Sequence, residues 1–337
     1  MKGIGMVYRV GIVGAGGIAR AHGQAIAQTD RAEIVAVCSR SQASVEKYCN
    51  EFDVRHGYTD LDEMLDKEDI DIAIICTWGD SHIELGNRIA RSKKVRAVLC
   101  EKPITQTAAE CEDMVATAKE NGVLLAEAFK FRHHPLHLKT RELIDAGKIG
   151  SLCNIRSTFC TGLPEDFRDP ALNWRFNKEN GGGAVYDLGC YNIHHARFIA
   201  GADPIRVYAT AKYGREIDDS VCALLDFPDH VTAQLTFSFK MAKSQYVEIS
   251  GTDGVIYAES AWNNENAATT LEVRSRDGNE THEFGPVFQF QNQIEHLCEC
   301  LDTGQAYRIS PENSIGNMKT IDAVYESIRT GQVIALD

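Results

Sequence analysis

Basic residues are scarce in this sequence: 35 Lys and Arg stand against 48 Asp and Glu, a formal net charge of −13. That deficit opposes nucleic-acid binding, which needs a basic footprint to displace phosphate counterions. Also missing is any apolar run near the roughly 18–20 residues that a membrane helix requires. The stretch from Met1 to Arg9 lacks the apolar segment that precedes a signal cleavage site, so a cytoplasmic location is expected. Most of the eleven cysteines, Cys38, Cys76, Cys100 and Cys222 among them, lie inside apolar runs rather than at zinc-type spacings. They read as reduced core thiols, not as a disulfide framework. No internal repeat, low-complexity tract or disordered linker is present. What remains is an ordinary globular composition, 44% hydrophobic and 25% charged, over 337 residues. That length exceeds what one core usually supports and predicts two domains.

The first informative segment runs from Tyr8 through Val13-Gly14-Ala15-Gly16-Gly17-Ile18-Ala19, a β-branched run that meets small residues and then a helical pattern. Gly14, Gly16 and Ala19 fit G-x-G-x-x-A. In that pattern the first glycine permits a tight turn, the second lets a pyrophosphate approach the backbone, and the alanine lets helix and strand pack closely. The helix that follows offers free N–H groups to phosphate oxygens. A second strand, Glu33 to Cys38, follows at βαβ distance and ends at Ser39-Arg40-Ser41. An acidic residue there would bind a ribose 2′-hydroxyl and repel a 2′-phosphate. A guanidinium between two hydroxyls instead suits the phosphate dianion and favours NADP over NAD, with NAD still possible. Arg40 as a solvated arginine, or one stacked on adenine, is the alternative.

Apolar runs at Asp71 to Cys76, Val95 to Cys100 and Val123 to Ala128 alternate with helical patterns at Gln42 to Phe52, His82 to Ser92 and Thr107 to Asn121. Thr107 and Glu110 are spaced as a capping box. The alternation predicts a doubly wound parallel sheet whose ligands lie beyond the carboxyl ends of the strands. Those ends carry Thr77-Trp78-Gly79-Asp80-Ser81-His82, Glu101-Lys102-Pro103 and Phe129-Lys130-Phe131-Arg132-His133-His134-Pro135. From Ser151 the pattern changes to strand-like runs at Leu152 to Phe159, Ile205 to Tyr213, Val221 to Phe227, Val231 to Phe239, Tyr246 to Ser250 and Val255 to Ser260. Hairpin punctuation between them predicts a mostly antiparallel sheet. Helices are expected from about Gly189 to Ile199, Phe288 to Leu301 and Pro311 to Arg329. The expected division is 1–128 for dinucleotide binding and 129–337 for a second, α+β domain.

Five motifs occur together and in order: Gly14-Ala15-Gly16-Gly17-Ile18-Ala19; Ser81-His82-x-Glu84; Glu101-Lys102-Pro103; Glu127-Ala128-Phe129 with Arg132-x-x-Pro135; and Gly181-Gly182-Gly183-Ala184-x-x-Asp187-x-Gly189-x-Tyr191. Across nearly the whole chain this set resembles the glucose-fructose oxidoreductase, inositol dehydrogenase and rhizopine-catabolism family. The resemblance implies an N-terminal Rossmann domain and a C-terminal domain with a large open sheet. That sheet would floor the active site and serve as the contact of a homodimer or homotetramer. Hydride transfer between a nicotinamide and a carbinol or ketone of a pyranose sugar or related polyol is the implied reaction. Inositol or trans-dihydrodiol oxidation, and a non-catalytic dinucleotide- and sugar-binding regulator of the same fold, stay open.

Oxidising a carbinol needs an acid or base within hydrogen-bond reach of the oxygen. Lys102, at a strand's carboxyl end, fits that task, and the resemblance gives it the reacting oxygen. Asp187 and Tyr191 are four apart and share a face if helical. By resemblance Asp187 orients substrate or lysine, and Tyr191 exchanges the proton. Cofactor contacts are expected from Gly14, Gly16, Gly17, Ile18, Ala19, Ser39, Arg40, Thr77, Trp78, His82, Glu101 and Lys102. Substrate contacts are expected from Lys102, Arg132, His133, Arg168, Trp174, Asp187, Tyr191 and His195. Trp174 suits a sugar face or a core equally, and His194 or His195 suits pocket or scaffold. No metal is expected, because Pro135 puts His133, His134 and His137 at a helix start without the carboxylate of a zincin pattern. Trp78-Gly79 departs from the family's usual Pro-Asn, Lys130 from a hydrophobic residue and Asn192 from a proline.

Overall fold

A computed structural model describes residues 6–336. They divide into two compact units, residues up to His133 with Phe288–Ile315, and His134–Val287 with the residues from Gly316 on. In the first unit the order is β1 (Tyr8–Val13), α1 (Gly17–Ile26), β2 (Ala32–Cys38), α2 (Gln42–Phe52), β3 (His56–Tyr58), α3 (Leu61–Lys67), β4 (Ile72–Ile75), α4 (His82–Ser92), β5 (Ala97–Cys100), α5 (Ala108–Glu120) and β6 (Leu124–Glu127). The strands lie in the order β3-β2-β1-β4-β5-β6, every pair parallel. Ile-Ala-Ile-Ile of β4 and Ala-Val-Leu-Cys of β5 are buried throughout, as central strands covered on both faces must be. Strand order reverses direction between β1 and β4, the switch point at which such sheets open a crevice. At α5 the Thr107 and Glu110 side chains make the reciprocal bonds of a capping box. β3 and α3 were not legible in the sequence, because three- and seven-residue elements are too short to establish a period.

The second unit holds α6 (Pro135–Asp145), β7 (Leu152–Cys160), α7 (Cys190–Ala200), β8 (Arg206–Tyr213), β9 (Asp218–Asp226), β10 (Thr232–Ser238), β11 (Ser244–Gly251), β12 (Gly254–Glu259), β13 (Thr269–Ser275), β14 (Gly278–Phe284) and β15 (Ile334–Ala335). Its sheet runs β14-β13-β12-β11-β7-β10-β9-β8-β15. Among the described residues of this sheet only β7 and β10 pair in parallel. Alternation along the strands buries one face, as in Val207 and Ala209 of β8 and Val221, Ala223 and Leu225 of β9, and leaves Tyr208 and Leu224 exposed. β13 and β14 were missed in the sequence: β14, Gly-Asn-Glu-Thr-His-Glu-Phe, is an edge strand with almost no apolar residue.

α8 (Gln289–Thr303) groups with the first unit, and α9 (Pro311–Thr330) is divided between the two. The second unit is therefore not one continuous stretch of chain. α8 is tied down by side chains: Tyr8 Oη donates to Asp302 at 2.6 Å, and the Phe290 ring stands edge-on to His22 of α1 at 5.2 Å. All eleven cysteines are free thiols. Among the described residues no helix is long and apolar enough to cross a membrane.

One backbone position sets the turn after β1. Gly14 has φ +98°, and its N–H donates to the Cys38 carbonyl at the tip of β2 at 2.7 Å. A Cβ there would stand 2.9 Å from the carbonyl carbon and oxygen of Cys76. Gly14→Ala is expected to cost about 1–3 kcal/mol, from a left-handed conformation and a backbone clash. A lowered urea midpoint measures this; an unchanged midpoint contradicts it.

Candidate active site

The carboxyl ends of β1, β2 and β4 open into a cavity of about 510 Å³. Gly14 and Gly16 line it on one side, Ser39, Arg40, Ser41 and Ser44 on another, and Thr77, Trp78 and Ser81 on a third. A Cβ built on Gly16 or Gly17 meets nothing within 4 Å, and no side chain caps the amino end of α1. The first N–H groups of that helix are thus left for an anion. Arg40 is exposed at the cavity rim, while Arg88, also lining it, is held by Asp62 at 2.6 Å. Trp78 keeps 42% of its surface exposed. Its carbonyl and the Thr77 hydroxyl both engage Ser81 Oγ, at 2.9 and 2.8 Å. These groups fit a dinucleotide: the open glycines suit its phosphates, Arg40 offers a cation at the rim, and Trp78 an aromatic edge.

Three buried side chains brace the Glu101–Ile104 turn after β5. His22 Nε2 lies 2.7 Å from Glu101 Oε1. His82 Nδ1 lies 3.1 Å from the Pro103 carbonyl and its Nε2 3.1 Å from that of Thr77. Glu127 Oε1 accepts from the Ile104 N–H at 3.0 Å. Burial pushes the His82 pKa down, against the two carbonyls. Glu101 and His82, both expected as cofactor contacts, thus also brace the turn that carries Lys102, which is itself half-buried. The Lys102–Pro103 peptide bond is cis.

Arg132 and His133 follow in the first unit and are buried rather than open. Arg132 donates to the Arg308 carbonyl at 3.3 Å. His133 Nδ1 faces the Arg308 guanidinium at 2.8 Å, and its Nε2 the Tyr307 hydroxyl at 3.0 Å. Burial, then the neighbouring Arg308 charge, hold His133 well below its ordinary pKa. A neutral imidazole accepting from Arg308 fits those surroundings.

In the second unit Asp187 sits in a π-helical turn, Val185–Gly189, that leads into α7. Arg175 Nε donates to Asp187 Oδ2 at 2.7 Å, and the same guanidinium lies over the Trp174 ring at 4.9 Å. The Asp187 charge raises the Arg175 pKa. Trp174 thus spends one ring face on an arginine. Tyr191 packs edge-on to Phe159 and near Trp262, and His195 packs against Trp262 and His137. His137 Nε2 is 2.8 Å from the Ala261 carbonyl. Arg168 lies elsewhere, donating to the Leu163 carbonyl at 2.9 Å and lining a separate cavity of about 350 Å³ with Asp219, Lys240 and Arg215. Trp262 gave no signal in the sequence beyond being a tryptophan after a strand.

Residues 8–129 match the oxidoreductase family with an NAD-binding Rossmann fold, Gfo/Idh/MocA, and residues 137–257 match the Gfo/Idh/MocA C-terminal domain. The chain belongs to the Gfo/Idh/MocA oxidoreductase family. Among curated members, the D-xylose 1-dehydrogenase (NADP(+)) 2 of Haloferax volcanii is 31% identical, over 97% of this chain and 99% of its own. The dTDP-3,4-didehydro-2,6-dideoxy-alpha-D-glucose 3-reductase of Actinomadura kijaniata is 30% identical, over 96% and 95%. A crystal structure of a 3-ketoreductase from Actinomadura kijaniata with NADP and TDP-benzene superposes with a TM-score of 0.86 at 27% identity, covering 95% of this chain and 98% of that one. The Rossmann domain and mostly antiparallel sheet expected for a Gfo/Idh/MocA member are thus both present.

The turn that carries Asp187 is anchored by a residue the sequence reading did not single out. Asp218 Oδ2 accepts from the Val185 N–H at 2.8 Å, and Asp218 Oδ1 from Tyr325 Oη at 3.2 Å. Burial pushes the Asp218 carboxyl up to about 7, although these donors pull it down. The folded protein then holds a proton that the unfolded chain releases near the ordinary aspartate value. Stability from this group is present at low pH and declines as pH rises from about 4 through about 7. Asp218→Asn carries no charge at any pH and still accepts from Val185. Its melting temperature relative to the parent is expected to rise between about pH 4 and about pH 7; a pH-independent difference contradicts this.

Proposed function

We propose that this protein is a cytoplasmic NADP-dependent oxidoreductase that moves a hydride between the nicotinamide and a secondary or anomeric carbinol, or the matching ketone, of a pyranose sugar or related polyol. The observation that carries the reading is the first unit's cavity, with open glycines at the amino end of α1 and Ser39-Arg40-Ser41 at the tip of β2. Arginine with flanking hydroxyls suits a 2′-phosphate, and no acidic residue occupies the strand tip to claim a 2′-hydroxyl. The NADP named for the Haloferax enzyme and bound in the Actinomadura structure supports the choice, and the xylose and dideoxyglucose derivative named for the Haloferax and Actinomadura enzymes support a sugar or polyol. The first unit is assigned to dinucleotide binding, and the second to substrate binding and assembly.

A bound nicotinamide supplies the two-electron hydride chemistry that side chains lack. Lys102 holds the reacting oxygen and moves its proton, its ammonium form stabilising alkoxide character. Tyr191 is the second proton-exchanging group, and Asp187, fixed by Arg175, orients the reacting partners. The exposed sheet face with Tyr208 and Leu224 is assigned to contact between copies in a homodimer or homotetramer.

Lys102→Ala is expected to lower kcat by about 100-fold or more while leaving NADP affinity within about twofold. Turnover equal to the parent's refutes the assigned chemistry. Arg40→Ala is expected to weaken NADP by about 10- to 100-fold, the worth of a charge-assisted phosphate contact, and NAD by far less. Titration of both cofactors checks this, and equal losses refute the phosphate role.

A further inference from the structure

We propose that His22 is a positioning residue for Lys102: it pins the Glu101 carboxylate and thereby couples the helix that opens on the cofactor cavity to the turn that carries the lysine. The proposal rests on the assignment of Lys102 to the reacting oxygen. His22 is the sixth residue of α1, on the buried face it shares with Ala19, Gly23, Ala25 and Ile26. Its imidazole is fully buried, and Glu101 is 6% exposed. The 2.7 Å contact between them joins residues 79 apart in the chain. The other Glu101 oxygen, Oε2, accepts the backbone N–H of Lys102 at 3.3 Å. A single carboxylate thus bridges α1 and the lysine's own main chain.

The surroundings say which way the hydrogen points. Nδ1 of His22 is buried without a hydrogen-bond partner, so an N–H placed there would be orphaned. The tautomer that fits carries its hydrogen on Nε2 and donates it to Glu101. Glu101 then remains an acceptor for both bonds, and burial strengthens the charge-assisted one. Phe290 of α8 closes the site, its ring edge-on to His22 at 5.2 Å, while the Lys130 ammonium lies over the same ring at 5.1 Å. Water is kept from the pair by packing, so the carboxylate has no ready substitute for the imidazole. Without it the Glu101 side chain is left short of one donor and free to turn. Reaction geometry tolerates little of that, since a misplacement of about 1 Å can cost about 100-fold in rate.

His22→Leu removes the donor at similar volume, and His22→Gln places an amide N–H near the position of Nε2. Three quantities are read on the purified full-length chain with Lys102→Ala alongside: kcat against the best sugar substrate, NADPH affinity by fluorescence, and the pH dependence of Lys102 acetylation in the absence of cofactor, read by peptide mass. His22→Leu is expected to lose at least about tenfold in kcat, to keep NADPH affinity within about twofold, and to shift the pH at which Lys102 becomes reactive. His22→Gln is expected to recover kcat to within about threefold of the parent and to restore the Lys102 profile. The proposal is overturned if His22→Leu keeps the parent's kcat and Lys102 profile, or if His22→Gln is as impaired as His22→Leu. If Lys102→Ala itself turns over normally, the functional assignment fails instead, and the acetylation profile still reports whether His22 governs the lysine.

Discussion

Every strand of the first sheet runs the same way, and the chemistry of this protein depends on that constraint. Parallel pairing puts the carboxyl ends of β1, β2, β4, β5 and β6 along one edge. Each strand must therefore hand over to a helix at that edge through a turn that leaves polar backbone groups to satisfy. Gly14 turns the chain after β1 under the Cys38 carbonyl, Ser41 caps α2 after β2, and Ser81 gathers Thr77 and Trp78 after β4. Cavity and lysine turn are both products of how these ends are closed.

Buried polar groups do much of this closing. His22, His82 and Glu127 come from α1, α4 and β6, and each spends a hydrogen bond on residues 101–104. In the second unit buried Asp218 does the same for the π turn at its amino end, and half-buried Arg175 at Asp187. Each such group costs desolvation, and an unmade bond costs more than a made one gains. These groups accordingly specify one geometry for the turns that carry Lys102 and Asp187. That is how a site keeps an ammonium and carboxylates placed within a closely packed protein.

Local signals carried much of this into the sequence. The β1 turn, the Ser39-Arg40-Ser41 tip and the Thr107 capping box each depend on residues within a few positions of one another, and the structure places each as spacing predicts. The alternation of short apolar runs with helical patterns likewise yielded the parallel sheet. The pairing of His22 with Glu101 was out of reach, because periodicity says only that His22 lies on the buried face of α1. What meets that face is decided by tertiary packing 79 residues away. The bonds of Glu101 and His82 to the lysine turn, and of His133 to Arg308 and Tyr307, were equally beyond local spacing, because each joins segments distant in the chain. Asp218 was hidden for a different reason: an acidic pair at the start of a strand looks like a solvated turn until burial is known.

The central claim is hydride exchange between NADP and a sugar or polyol, and nicotinamide absorbance tests it most directly. NADP+ and NAD+ are each set against aldopyranoses, uronic acids, inositols and dihydrodiols, with the reverse reaction run on ketoses. The account predicts growth of the reduced-cofactor signal with a pyranose or related polyol, or its loss with the matching ketose, faster with the NADP pair than with the NAD pair. No change with any substrate, in a protein that binds NADP tightly, would contradict it.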